Sequence, residues 1–435
     1  MQFSFSEAHI EKTVVKDHIE KLRDYIRHVE RVSETSGYET PESSINLAFD
    51  AKLLKEVKQC VEEKVSPNLK YVVVIGIGGS NLGTKAVYDA MRGAFDLVEP
   101  EYFPKLLFLD TNDPEYTKAL LFFLEGVVRQ PEELLIVSIS KSGGTTETIA
   151  NTEALLAVFS ERPFDIRERT VVITDADSPY KKAAQARGMS TLSIPKMVGG
   201  RFSVFSAVGL FPLASAGFDI ESLLKGAREE RDRGLLSSDL NPALVSAIVL
   251  FEARRQKRTI HNTFLFEPEC ESLGKWYRQL MGESIGKEED LDGDEIRAGI
   301  TPIVSVGSTD LHSVGQLYLG GPRDKVTTFV SVKEKQTDVT IPKERMFPEL
   351  VPIVAGKNYT EIMSAIYEGT KIAYEKNNLP YMEVILNDLS ERSLGAFMQF
   401  KMMEMMYLAK LLNVNAFDQP NVESYKEETR KILEG

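Results

Sequence analysis

"KYVVVIGIGGSNLG" (residues 70–83) runs from a short apolar stretch into a glycine-rich turn, with a helical stretch from Thr84. Val72, Val73, Val74 and Ile75 are apolar without alternation, so "KYVVVI" (70–75) has no polar face for water. Such a strand belongs in a sheet covered on both sides, as parallel sheets are. Further along, "KLLFLD" (105–110), "ELLIVSIS" (133–140) and "RTVVITD" (169–175) repeat the form, each followed by a helical segment. Short apolar strands alternating with helices predict a doubly wound parallel α/β sheet. A second series, "TIHNTFLFEP" (259–268), "TPIVSVGS" (301–308), "KVTTFVSV" (325–332) and "YMEVILND" (381–388), predicts a second sheet of the same kind. The two are expected to join through the helical stretch near 203–256. The expected division is an N-terminal helical extension over 1–48, a first domain over 49–215 and a second over 216–435 with a C-terminal helix. Residues 6–36 read as helices, and the Met-rich "FMQFKMMEMMYLAKLL" (397–412) as a core helix.

With 435 residues and 43% apolar content, the chain is long enough for two or three cored domains. No segment reaches the ~18 continuous apolar residues of a membrane span, and the charged N-terminus is unlike a signal peptide. Cys60 and Cys270 suggest neither a disulfide framework nor a metal knuckle. The expected setting is the cytoplasm. A net charge of −13 disfavours nucleic acid as a partner. A small anion remains compatible, held by a few placed cations and backbone N–H groups.

Two loops fit such an anion. In "GIGGSNLG" a dinucleotide fingerprint would need glycine at 76, 78 and 81; Gly76 and Gly78 are present, but Asn81 breaks the pattern. The loop still follows a buried strand and opens a helix, a setting that suits an anion as well as a plain tight turn. "SISKSGGTTETI" (138–149) gathers Ser140, Lys141, Ser142, Gly143, Gly144, Thr145 and Thr146 at a strand end. Its hydroxyls and free N–H groups could converge on one phosphate. It lacks the nucleotide P-loop arrangement, which favours a phosphomonoester such as a sugar phosphate over ATP.

"CESLGKWYRQLMGESIGK" (270–287) carries E-S-x-G-K twice. Glu271 precedes Leu273, Trp276, Tyr277 and Leu280 at helical spacing, so it lies near a helix start, where a carboxylate is favoured by the dipole. Gly282 reads as the residue that ends this helix. Glu283 would then begin an irregular stretch, free to point into a cleft, with Gln279 one turn back on the same side.

"IGIGGSNLG" and "SKSGGTTET" together resemble the sugar isomerase (SIS) domain. "VGGRFSVFSAVG" (198–209), "GESIGK" (282–287) with "STDLHSVGQ" (308–316), and "FDQPNVESYK" (417–426) narrow the resemblance to the glucose-6-phosphate isomerase (phosphoglucose isomerase) family, in its shorter bacterial form. It runs from about residue 45 to the C-terminus, with the motifs in the family's order. It implies two SIS-type domains, and a phosphate site of Ser140, Lys141, Ser142 and Thr145 with Gly79 and Ser80 nearby. It further implies Arg201 near the reacting carbons, with Gln279, Glu283, His312, Gln419 and Lys426 at matching motif positions. Three departures stand out. Lys196 replaces a usual Asp, Glu, Asn or Ser. Asn421 replaces a small residue, and would tolerate a left-handed turn. The acidic "KEEDLDGDE" (287–295) makes a longer loop than short bacterial forms suggest.

The implied reaction is aldose–ketose isomerisation of glucose 6-phosphate and fructose 6-phosphate, a step of glycolysis and gluconeogenesis. Moving the carbonyl by one carbon needs a base, for which Glu283 is the candidate. It also needs a fixed cation beside the charge of a cis-enediol(ate), for which Arg201 is suited. Ring opening needs a proton carrier, and of five histidines only His312 follows a strand end in a polar loop, whereas His9, His18 and His28 lie in the N-terminal helices and His261 in a strand. Lys426 would hold the ring oxygen or the phosphate end. The enediol route implies no cofactor, and no metal-ligand spacing favours a hydride-shift isomerase. The resemblance also implies a homodimer with shared sites. The rival readings are an isomerase that also takes mannose 6-phosphate, a non-catalytic sugar-phosphate sensor, and, least favoured, a dehydrogenase.

Overall fold

Apolar strands need cover on both faces, and the computed structural model, which describes residues 1–160 and 162–435, supplies it with helices. In chain order the elements are β1 (Gln2–Ser4), α1 (Lys12–Glu34), α2 (Ala51–Lys64), β2 (Tyr71–Ile75), α3 (Leu82–Arg92), β3 (Lys105–Leu109), α4 (Pro114–Val127) and β4 (Leu134–Ile139). Next come α5 (Thr146–Phe159), β5 (Thr170–Asp175), α6 (Pro179–Ala186), β6 (Ser190–Ile194), α7 (Ala207–Ser215), α8 (Ile220–Gly234) and α9 (Pro242–Arg255). The remainder comprises β7 (Ile260–Leu265), α10 (Glu271–Ile285), β8 (Lys287–Glu289), β9 (Glu295–Ala298), β10 (Thr301–Val306) and α11 (Gly315–Gly320). It closes with β11 (Lys325–Val332), α12 (Tyr359–Lys376), β12 (Tyr381–Leu386), α13 (Glu391–Leu411) and α14 (Glu423–Glu434).

One sheet has the order β3-β2-β4-β5-β6, parallel throughout. The chain moves from β2 outward to β3, then crosses back to β4 on the other side of β2. The loops leaving β2 and β4 therefore lie side by side at a topological switch point, where open α/β sheets hold ligands. The second sheet, β1-β12-β11-β7-β10, is parallel except for β1, which pairs antiparallel with β12. The wholly parallel expectation is corrected there: three residues, Gln2–Ser4, are recruited by the free edge of β12. The acidic 287–295 loop is likewise not irregular, because β8 and β9 form a hairpin across it. His9 lies ahead of α1 with a positive φ, not inside the helix.

The Met-rich stretch is core, as its composition predicts, and α13 is buried from Ser393 to Ala409. That burial includes the ion pair of Lys401 and Glu404 at 2.8 Å, both side chains fully enclosed. The hydroxyls of Ser246 and Tyr277 also donate to Glu404. Satisfied in this way the pair is tolerable; removing one partner of such a pair costs roughly 3–5 kcal/mol. Tyr277 belongs to α10, so this network ties that helix to the core. Beside it, burial and the nearby Lys401 charge push His261 well below its ordinary pKa, leaving a neutral ring against the Thr328 hydroxyl at 2.8 Å.

Candidate active site

The helix α10 does not stop at Gly282. Gly282 faces Pro302 of β10, where a Cβ would have its nearest neighbour 4.0 Å away. Gly286 is the true terminus: its N–H bonds the Gly282 carbonyl, and a Cβ there would meet that oxygen at 2.5 Å. Glu283 is therefore in the last helical turn, correcting the irregular start read from sequence. Its position beside Gln279 follows from i, i+4 geometry. The Gln279 Nε2 donates to Glu283 Oε1 at 3.1 Å.

Arg201 closes the other side. It is 2% exposed, and its Nη1 donates to Glu283 Oε2 at 3.3 Å and to Gln419 Oε1 at 2.8 Å. Nε reaches Ser284 Oγ at 2.9 Å, and Nη2 bonds the carbonyls of Ala416 and Asp418. Burial lowers the arginine's pKa, opposed by Glu283 and Asp418, yet a guanidinium stays charged at any working pH. Among the described residues Glu283 is its only carboxylate partner. The fork thus joins three segments that are distant in sequence, and it orients a carboxylate whose side chain keeps 29% exposure.

The loop after β2 packs directly on this cluster. A Cβ on Gly79 would lie 2.2 Å from the Gly200 carbonyl carbon and 2.6 Å from the Arg201 nitrogen. Gly78, at φ +59°, faces Gln279 Nε2, which a Cβ would meet at 2.8 Å. The glycines here are required by protein packing as much as by any ligand. Gly79→Ala is expected to lower stability by roughly 1–3 kcal/mol, as overpacking does, and to reduce turnover by shifting Arg201; urea unfolding and an activity assay check both. Asn81, where the dinucleotide pattern fails, is buried and donates to Asp110 at 2.7 Å. Ser80 is half-buried in the same turn.

In the neighbouring loop, the buried Ser140 donates to Thr145 Oγ1 at 2.9 Å, and Ser142 is exposed, accepting from the Gly144 N–H. Gly143 takes φ +72° against Tyr180. Thr145 precedes α5 without capping it through its side chain, so the first-turn N–H groups stay open to an anion. Burial lowers the Lys141 pKa, partly offset by Asp175. A cavity of about 1020 Å³ lies behind this loop, between α5 and α6, lined by Leu156, Phe159, Tyr180 and Ala183; neither Arg201 nor Glu283 borders it.

Other sequence-derived residues are placed differently. Glu271 sits at the start of α10, pairs with Lys275 at 2.7 Å and is half-exposed. Lys426 lies on α14, a helix with no buried residue, and pairs with Glu423 at 2.7 Å. Asn421 needs no left-handed backbone, since it falls in a 3₁₀ turn and bonds Glu288 at 2.7 Å. His312 is exposed in the loop after β10, where Asp310 accepts from the Val306 N–H and the Ser313 hydroxyl. Helix α10 runs antiparallel to β10, for Gly274 packs on Val304 and Gly282 on Pro302. Glu283 and His312 of one chain therefore lie at opposite ends of β10, a strand spanning roughly 17 Å. Sequence reasoning missed Ser284, Asp418 and Lys287, which hold Arg201 and Glu283 in place. No local signal marks Lys287, for the matching E-S-x-G-K copy at 271–275 puts its lysine in a surface pair.

The profile of the family described as phosphoglucose isomerase matches residues 52–435. The glucose-6-phosphate isomerase of Methanocaldococcus jannaschii is 35% identical over 358 residues, 82% of each chain. That of Carboxydothermus hydrogenoformans is 35% identical over 395 residues, 87% of this chain and 82% of the relative. Among solved structures, a hypothetical protein of Thermus thermophilus superposes with a TM-score of 0.86 at 31% identity, covering 100% of both chains. A glucose-6-phosphate isomerase of Chlamydia trachomatis shares the fold, with a TM-score of 0.84 at 22% identity over 99% of this chain and 88% of that one. On this evidence, the chain belongs to the phosphoglucose isomerase family.

Proposed function

We propose that the protein interconverts glucose 6-phosphate and fructose 6-phosphate, serving glycolysis and gluconeogenesis in the cytoplasm. The observation that carries this reading is the Glu283 carboxylate, held between the Gln279 amide and the Arg201 guanidinium. Once the ring is open, Glu283 takes the proton from carbon 2 of the aldose and returns it to carbon 1. In the enediolate between these steps the charge sits on oxygen, and Arg201 meets it without reorganising, because its other bonds already fix it. The 6-phosphate is assigned to Ser140, Lys141, Ser142 and Thr145, with Gly79 and Ser80 beside them. Gln419 is assigned to the sugar and Lys426 to the ring oxygen or the phosphate end; the Lys426 helix follows directly on the Gln419 turn that Arg201 holds.

His312 is assigned to ring opening in the site of a second copy of the chain. Its distance from Glu283 along β10 supports this, because no side chain spans that length. The test is complementation. Glu283→Gln and His312→Ala, each nearly inactive alone, are unfolded together and refolded as a mixture. Random pairing into two-fold dimers should restore about a quarter of the wild-type rate, since half of the dimers are mixed and each has one intact site. Activity no greater than the two variants' own would place both groups in one chain and refute the sharing.

A further inference from the structure

We infer that Lys287 is a positioning residue, whose ammonium closes the end of α10 onto Asp418 and so aims both the Glu283 carboxylate and the Gln419 amide. The inference rests on the function proposed above. The Lys287 side chain is 5% exposed. Its Nζ donates to the Glu283 carbonyl at 2.7 Å and to the Asp418 carbonyl at 2.6 Å, and lies 3.1 Å from Asp418 Oδ1. An ammonium has three N–H donors, so each one has a partner.

The carbonyls of a helix's last turn lack intrahelical donors and carry the negative end of the dipole. Lys287, just past the helix terminus, turns its own side chain back to satisfy one of them, and that one belongs to Glu283. The Asp418 carbonyl it also binds is shared with Arg201 Nη2 at 3.0 Å. Glu283 is thus fixed at its carboxylate by Arg201 and at its backbone by Lys287, and the segment leading to Gln419 is held by the same two cations. Among the described residues the first E-S-x-G-K copy has no such partners: Lys275 pairs with Glu271 at the surface. With its three donors taken and its side chain enclosed, Lys287 acts through the two groups it holds.

Lys287→Met preserves side-chain length and suits a buried site while removing all three donors. A misplacement near 1 Å can cost about 100-fold in rate. The expected result is a kcat lower by about 30- to 100-fold, with the KM for fructose 6-phosphate and inhibition by inorganic phosphate each within about threefold of wild type. Phosphate inhibition reports the 140–145 loop, which a general collapse would also disturb. Asp418→Ala, which removes one acceptor and leaves both carbonyls, is expected to lose about threefold in kcat at unchanged KM, and it decides the matter if Lys287→Met does not fold. A wild-type kcat in Lys287→Met, or kcat and phosphate binding falling together, overturns the inference. If the wild-type chain itself fails to isomerise fructose 6-phosphate, the proposed function falls first and this inference with it.

Discussion

Glu283→Gln is expected to lower kcat for fructose 6-phosphate by roughly 10³- to 10⁴-fold, the scale of general base catalysis, with little change in stability. The amide is nearly isosteric with the carboxylate, keeps its one oxygen for Arg201 and can donate its NH2 to Gln279 once that amide turns over, but it cannot take up a proton. Glu283 is partly solvated, and Arg201, though buried, keeps its bonds to Ser284, Gln419, Ala416 and Asp418. The control lies in the same helix. Glu271→Gln removes only a half-exposed pair with Lys275, an interaction of about 0.3–0.5 kcal/mol, and should leave turnover near wild type. Steady-state assays and thermal melts of the three proteins check this. Equal losses in both variants would show that the helix, and not one carboxylate, had been disturbed.

Arg201→Lys is expected to cost about 10³-fold in kcat/KM, equivalent to roughly 4 kcal/mol of transition-state stabilisation. Charge is preserved, so the loss must come from geometry. The guanidinium serves Ser284, Glu283, Gln419, Ala416 and Asp418 from one plane, and an ammonium has too few donors and the wrong directions for all of them. The acceptors left over are buried or half-buried, each unmet bond costing about 1–3 kcal/mol. The urea midpoint should therefore fall together with activity, unlike in Glu283→Gln. Near-wild-type activity in Arg201→Lys would show that any cation suffices and that the fork has no part in the chemistry.

The first sheet was legible because its strands carry continuous apolar runs; the second, whose β7 "IHNTFL" and β11 "KVTTFVSV" mix in polar residues, followed less cleanly. The elements missed lack that mark. In β6, "STLSI", only Leu192 and Ile194 are buried, and β1 is three residues long and exists through its pairing with β12. The end of α10 was misread for a different reason. Glycine often marks a helix stop, but Gly282 stays within the helix and the stop falls four residues later at Gly286, so two glycines at adjacent turns offer the same local signal. Within the site, motif order brought out Glu283, Arg201, Gln279 and Gln419, which the fold gathers into one cluster. Lys287, Ser284 and Asp418 stayed hidden because their role depends on segments near 201, 287 and 418 meeting, and no local pattern encodes that meeting. His312 was legible as a residue, but its place at the far end of β10 emerges only from the direction of α10 against the sheet.

In the proposed reaction a protein carboxylate carries the proton between the two carbons. The measurement that tests it most directly is isomerisation in deuterium oxide, followed through many turnovers by NMR of both sugar phosphates. A proton held on Glu283 exchanges with solvent during some turnovers. Deuterium should therefore accumulate at carbon 2 of glucose 6-phosphate and carbon 1 of fructose 6-phosphate, and far more slowly with Glu283→Gln. Full interconversion with no deuterium at either carbon would mean that hydrogen passes directly between them, contradicting the role assigned to Glu283.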